Sequence, residues 1–347
     1  MTGPGPSIGG NLLQVEGLSC EFDGSRGVAR VLQDVRLTLG KSMTLGLVGE
    51  SGSGKSMLIK SILGIAPRTA RVTGRVVFDG VDLATLKERE RRKFLGRRVG
   101  MVFQNPMTSL NPFVQVGRQI EEAARYYFKL SKDQGRSLAI ELMATVGLPD
   151  PEDCYGQYPH QFSGGMKQRI MIATALACKP DLLIADEATT ALDVTVQKQI
   201  LDLLQTIQQE RQMSMILVTH NLGIVAGRTD EVAVMYGGRI VERGPTEAIF
   251  HHPRHRYTEA LIAAIPRTDQ PAHTRLRTIP GRPPDILRPI PGCPFAPRCP
   301  VAEPRCVESM PPATSDGDGR HGYACHVPVG AASGGTGTPG LASTDAR

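Results

Sequence analysis

The sequence predicts an α/β fold: a largely parallel sheet flanked by helices, a helical insertion within it, and a small irregular Cys-rich region after it. Three observations predict this. A short apolar run, Thr44 to Val48, leads directly into a Gly-rich loop, Gly49 to Ser56, and then into helix-forming sequence. Strand-like apolar runs afterwards alternate with amphipathic stretches, as crossover-connected parallel strands require. Past Pro266, proline becomes dense, hydrophobic periodicity vanishes and four cysteines crowd together.

Leu12 to Phe22 and Val31 to Leu39 read as strands around a Gly-containing turn, Asp23 to Gly27. Thr44 to Val48 is the strand before the loop, and Lys55 to Leu63 the helix after it. Val76 to Phe78 and Val99 to Phe103 are further strands. From Pro106 to about Ala177 the pattern is helical, with amphipathic stretches at Val116 to Phe128 and Ser137 to Val146. Strands return at Leu182 to Ala185, Met215 to Val218 and Glu231 to Met235. Between the first two, Val196, Ile200, Leu203 and Ile207 fall close to whole helical turns and share one face. Gly237-Gly238 marks a tight hairpin. The ends, 1–11 and 329–347, are rich in small residues and are expected to be disordered.

A chain of 347 residues, 40% hydrophobic and 21% charged, has room for one large domain and an appendage. No apolar run approaches the roughly 18 residues that span a bilayer. Met1 to Gly10 lacks the basic and apolar segments of a signal peptide. The expectation is a cytosolic chain, in which any membrane role must come from docking onto other subunits. The net charge of +6 is mild. Its densest basic stretch, Lys87 to Arg98, alternates with Glu88 and Glu90 and reads as a solvated helical face, not a nucleic-acid platform.

The chemistry lies in spaced motifs. Gly49-Glu50-Ser51-Gly52-Ser53-Gly54-Lys55-Ser56 matches G-x-x-x-x-G-K-S. Its glycines let backbone N–H groups curl around a β-phosphate, Lys55 places a point charge on the β/γ oxygens, and the Ser56 hydroxyl suits Mg²⁺. Leu182 to Ala185 ends in Asp186, suited to the Mg²⁺ shell, and Glu187, suited to polarising the attacking water. Ser163, Gly164 and Gly165 open a helix and form a second phosphate cradle. One nucleotide hardly needs two cradles from one chain, so this one is expected to serve another subunit's nucleotide. His220, after Met215 to Thr219, is placed to hydrogen-bond a γ-phosphate, and Gln104 to sense Mg²⁺ and water. Alone, each would also suit a plain structural role.

Together these motifs resemble the ATP-binding cassette (ABC) ATPases over about residues 12–250. The resemblance implies a P-loop NTPase cassette with a RecA-like core, an antiparallel β subdomain and a helical insertion at about 106–177. It casts Gln104 as the Q-loop, Ser163-Gly164-Gly165 as the signature and Asp186-Glu187 as the Mg²⁺ ligand and base. It also casts Ala191-Leu192-Asp193 as the D-loop, His220 as the switch histidine and Phe22 as the aromatic that stacks on adenine. Two departures stand out: Phe162 and Met166 flank the signature, and Ala188 stands where many relatives carry proline.

His251 to Leu261 is similar to the His-Pro-Tyr-Thr segment of dipeptide/oligopeptide importer ATPases, extending the resemblance through 251–328. It implies ATP hydrolysis coupled to peptide uptake, with nickel, glutathione or another peptide-like solute as alternatives, and a soluble ABC ATPase acting on nucleic acid or the ribosome as a remote one. The implied partners are a second ATPase subunit, commonly a paralogue, two membrane-spanning permease subunits and an extracytoplasmic binding protein. The implied location is the cytoplasmic face of the membrane.

The cysteines run Cys293-x5-Cys299-x6-Cys306-x18-Cys325. Four thiolates on Pro-stiffened loops can anchor a segment too small for a good core. Disulfides do not suit a reducing cytosol. Zinc stays open, with His321 and His326 as substitute ligands, although no close Cys pair is present. An iron–sulfur centre accepts wider spacings. Relatives with this pattern look like [4Fe–4S] binders.

Overall fold

A computed structural model describes residues 10–25, 27–104, 109–188, 193–266, 278–288, 291–317 and 319–330. The ends expected to be disordered therefore lie mostly outside the described residues. At their inner edges the structure corrects that expectation: Asn11 opens a strand, and the Val329 N–H donates to Arg254 O at 2.9 Å.

β1 (Asn11–Gly24) and β2 (Gly27–Gly40) pair antiparallel across the expected turn. β3 (Thr44–Val48) runs through the Gly-rich loop into α1 (Lys55–Leu63). β4 (Ala70–Phe78) and β5 (Val81–Asp82) rejoin the first strands in a sheet of order β2-β1-β4-β5. Only the last three residues of β4 are buried, which is why Val76 to Phe78 alone read as strand. The basic stretch forms α2 (Glu88–Arg98), in which Leu95 alone is buried, as a solvated face demands.

After β6 (Val99–Val102) comes the helical insertion: α3 (Val116–Phe128), α4 (Lys132–Thr145), α5 (Pro151–Tyr155) and α6 (Gly164–Leu176). β7 (Leu182–Asp186), α7 (Val194–Arg211), β8 (Ser214–Thr219), α8 (Leu222–Val225) and β9 (Glu231–Tyr236) complete the parallel core. Gly237 and Gly238, at φ of 55° and 78°, turn the chain into β10 (Arg239–Pro245). Positive φ at both turn residues is what a two-residue hairpin needs. α9 (Thr246–His251), α10 (Arg256–Ala263), a 3₁₀ turn at Ala296–Arg298, α11 (Pro304–Glu308), β11 (Thr314–Ser315) and β12 (Gly322–Tyr323) follow.

The second sheet has the order β11-β12-β10-β9-β3-β8-β7-β6, parallel from β9 to β6. Its central strands are buried on both faces, so they read as unbroken apolar runs. Alternate residues serve opposite layers. Leu182, Ile184, Ile216 and Val218 pack with α1 and the antiparallel sheet, whereas Leu183, Ala185, Met215 and Leu217 pack with the helical layer.

The C-terminal region is less irregular than its composition suggests. Gly322 and Tyr323 of β12 pair with Arg243 and Glu242 of β10, extending the main sheet. Strands of two residues are too short to show a period of two. No described helix is long and apolar enough to cross a membrane.

Candidate active site

β3 ends at Val48, and the chain must then turn inside a crowded space. A Cβ on Gly49 would lie 2.1 Å from Met235 O, so only glycine fits. Gly52 and Gly54, at φ of 81° and 104°, let the loop curl before α1 begins. Lys55 Nζ donates to Gly49 O at 2.7 Å and Glu50 O at 3.1 Å, inside its own loop. Burial pushes the Lys55 pKa below its ordinary value, opposed by Glu187, Asp186 and Glu50. Ser56 Oγ donates to Asp186 Oδ1 at 3.4 Å, joining α1 to the end of β7. Burial raises the Asp186 pKa, the Ser56 hydrogen bond lowers it, and Glu187 raises it further.

Sheet order assembles the rest. β8, β7 and β6 are neighbours, and their ends carry His220, Glu187 and Gln104. Glu187 sits at φ 47°, and its N–H donates to Val218 O at 3.0 Å. Gln104 Nε2 donates to Glu187 Oε2 at 2.7 Å, and His220 Nδ1 lies 3.2 Å from Glu187 Oε1. The two side chains expected to face phosphate and Mg²⁺ thus both hold the neighbouring carboxylate. Lys55, the Gly-rich backbone and the Ser56–Asp186 pair together suit a polyphosphate and a hard divalent cation. A carboxylate held beside an imidazole suits proton removal from water.

The other expected residues lie apart. Ser163 caps α6, its Oγ accepting from Met166 N at 3.3 Å, and Ser163 and Gly164 are exposed. A Cβ on Gly165 would press on Val196 at 2.9 Å. Among the described residues, no hydrogen bond joins Ser163 to Gly165 with the loop at 49–56. Asp193 caps α7, accepting from Val196 N at 2.9 Å, while Ala191 and Leu192 lie outside the described residues. Phe22, near the end of β1, pairs with Ala29 and Ala70 and is half-buried.

All seven cysteines are free thiols. Among the described residues, no three His, Cys, Asp or Glu side chains converge closely enough to hold a metal ion. The four-cysteine ligand set expected from the spacing is therefore not closed. Nevertheless, Cys293 and Cys299 each feel the charge of Cys325 and Cys306. Burial pushes the Cys293 thiol up to about 11, opposed by the backbone N–H groups of Phe295 and Ala296. Cys299 and Cys325 are also raised by burial, and the N–H groups of Val301 and Val327 act against it. The substitute zinc ligands are engaged elsewhere: His321 Nε2 lies 2.7 Å from Glu242 Oε1, and His326 Nε2 lies 3.0 Å from Ser309 O.

Sequence reasoning missed the back of the loop. The Glu50 carboxylate takes a two-pronged ion pair from Arg298, at 2.7 Å and 3.0 Å. The Glu50 N–H donates to Tyr257 Oη at 2.9 Å. Tyr236, Tyr257 and Phe295 pack as an aromatic box with ring centroids 4.4 to 5.4 Å apart. His255 Nδ1 accepts from Tyr257 N at 3.0 Å, which leaves Nε2 to carry the proton, 4.0 Å from Cys293 Sγ. The His-Pro-Tyr-Thr-like segment was a signal for Tyr257. Nothing in the sequence signalled Arg298.

Residues 32–190 match the ABC transporter family, and residues 241–306 match the oligopeptide/dipeptide transporter C-terminal region. The dipeptide transport ATP-binding protein DppD of Bacillus subtilis is 46% identical, with 88% of this chain and 92% of that one covered. The DppD of Escherichia coli is 45% identical, covering 92% and 97%. The oligopeptide transport ATP-binding protein OppD of Haemophilus influenzae is 45% identical, covering 85% and 91%. Among solved structures, a dimeric ATP-binding cassette in a post-hydrolysis state with ADP and phosphate has a TM-score of 0.61 at 24% identity, covering 67% and 98%. CbiO1 from Clostridium perfringens, part of an ABC transporter complex, has a TM-score of 0.60 at 28% identity, covering 70% and 91%.

Proposed function

This chain belongs to the ATP-binding subunits of the ABC-type dipeptide and oligopeptide transporters, and on that premise we propose how its residues divide the work. It is an ATPase that couples ATP hydrolysis to peptide import. The observation that carries the site assignment is the meeting of three adjacent strand ends on one carboxylate, Glu187.

Lys55 and backbone N–H groups of the loop at 49–56 hold the β- and γ-phosphates, with Phe22 against the adenine. Ser56 and Asp186 would hold Mg²⁺, which supplies charge neutralisation at the γ-phosphate. Gln104 and His220 orient the Glu187 carboxylate, and Glu187 takes a proton from the attacking water. Ser163 and Gly164, both exposed, and the half-buried Gly165, none bonded to this chain's own loop, complete the nucleotide site of a second ATPase subunit, with Asp193 at the seam. That subunit is a paralogue in this reading. Two permease subunits anchor the pair at the cytoplasmic face of the membrane, and an extracytoplasmic binding protein delivers the peptide.

Cys293, Cys299, Cys306 and Cys325 would hold a [4Fe–4S] centre that pins the C-terminal region together. What favours this is the set of backbone N–H groups aimed at the Cys293, Cys299 and Cys325 sulfurs. Anaerobic purification with iron, sulfide and zinc assays tests it; stoichiometric zinc in a colourless chain would replace iron.

The transport reading is tested by reconstitution with co-purified membrane proteins. ATP-dependent uptake of a labelled dipeptide is the expected result. Co-purification with nucleic acid and no polytopic membrane protein would overturn it.

A further inference from the structure

A carboxylate is an odd occupant of a phosphate cradle. Glu50 stands between Gly49 and Ser51, inside the loop that must receive a polyanion, and like charges repel across a low-dielectric site. The fold answers with Arg298, brought from the Cys-rich region, 248 residues away in sequence. We propose that Arg298 is a positioning residue for the nucleotide site: it cancels the Glu50 charge and fixes the loop in its open curl. This rests on the ATPase reading above.

Arg298 has five N–H donors, and each has an acceptor. Nη1 reaches Glu50 Oε2 and, at 3.1 Å, Tyr236 Oη. Nη2 reaches Glu50 Oε1 and, at 3.2 Å, Ile279 O. Nε donates to Pro280 O at 2.8 Å. The guanidinium also lies over the Tyr236 ring, 5.8 Å from its centroid. Its side chain is 5% exposed, while that of Glu50 is 25% exposed. A group so enclosed does not wander, so Glu50 is held by something rigid. The Glu50 N–H is meanwhile taken by Tyr257, which keeps it out of the cradle. The carboxylate and the N–H of residue 50 are thus both gripped by the C-terminal region, while its carbonyl accepts from Ser53 N–H and Lys55 Nζ, each at 3.1 Å, inside the loop.

None of this touches Glu187, Gln104 or His220, so the effect belongs to nucleotide affinity and not to the chemical step. The test uses the purified full chain and measures ATP binding by displacement of a fluorescent ATP analogue, beside basal hydrolysis. Arg298→Met should weaken ATP binding about tenfold and raise KM in step, with kcat within about twofold. Adding Glu50→Gln to Arg298→Met should restore affinity to within about threefold of the parent, because the unpaired charge is gone. A merely structural role would show its loss and rescue in the thermal midpoint and leave the ATP affinity of the folded variants unchanged. If Arg298→Met does not fold, Arg298→Lys, which keeps the charge but loses the fork, decides: about threefold weakening relieved by Glu50→Gln supports the role. Parental affinity in a folded Arg298 variant, or a double variant as weak as the single one, overturns it. A parent chain that binds no ATP overturns the ATPase reading as well, which separates the two failures.

Discussion

The two sides of the Gly-rich loop are built differently. On the catalytic side, Glu187 is held by Gln104 and His220, two exposed side chains at the tips of separate strands. On the far side, Glu50 is held by the enclosed Arg298 and the fully buried Tyr257. The first arrangement can exchange its hydrogen bonds with water, nucleotide and cation as a reaction proceeds. The second cannot do so without leaving buried donors unpaired, which costs about 1–3 kcal/mol each. The loop is therefore a fixed jaw facing a movable one.

Substitutions on the two sides should separate turnover from affinity. The largest effect is expected on the movable side. Glu187→Gln should lower kcat about 1,000-fold while ATP binding stays within a few-fold, since only the proton acceptor is lost; near-parental turnover would remove Glu187 as the base. Gly49→Ala comes next, because its Cβ would meet Met235 O at 2.1 Å. ATP affinity should fall about 100-fold, read by equilibrium binding, with little change in kcat at saturation. His220→Ala removes one of the two restraints on Glu187 and should lower kcat roughly 10- to 100-fold with KM nearly constant. The smallest effect should come from Tyr257→Phe, which leaves the Glu50 N–H without its acceptor. About 1–2 kcal/mol of stability should be lost, seen as a thermal midpoint lower by a few degrees, with ATP affinity nearly kept. A kcat loss from Tyr257→Phe equal to that from His220→Ala would break the distinction between the jaws.

The loop and the catalytic side were legible in the sequence, and the C-terminal support behind the loop was not. Gly49 to Ser56 announces itself because its strand, loop and helix are contiguous, and Asp186-Glu187 ends a short apolar run of the kind that a strand buried on both faces produces. Gln104 and His220 could be named by spacing within the cassette pattern, but their shared hold on Glu187 needed the order of β6, β7 and β8. Arg298 shows no periodicity, and its partner lies in another motif altogether. β11 and β12 are too short to read as strands. The polar run from Arg71 to Arg75 hid the first half of β4 because those side chains are exposed. The helix face read from Val196, Ile200, Leu203 and Ile207 is buried chiefly at Ile200 and Ile207, with Leu201 and Leu204 beside them. The deepest packing is thus rotated slightly from the face that the spacing indicated.

The separation of 248 residues between Glu50 and Arg298 has a consequence during synthesis. At about 5–20 residues per second, the ribosome needs roughly 12 to 50 s to deliver the arginine after the glutamate. Throughout that interval the nascent cassette carries its cradle with an unanswered negative charge. A chain interrupted before its Cys-rich segment would keep every motif of the cassette and yet grip nucleotide poorly. Competence for ATP would then arrive only with the Cys-rich segment, so a subunit still lacking it would have little chance to close on fuel.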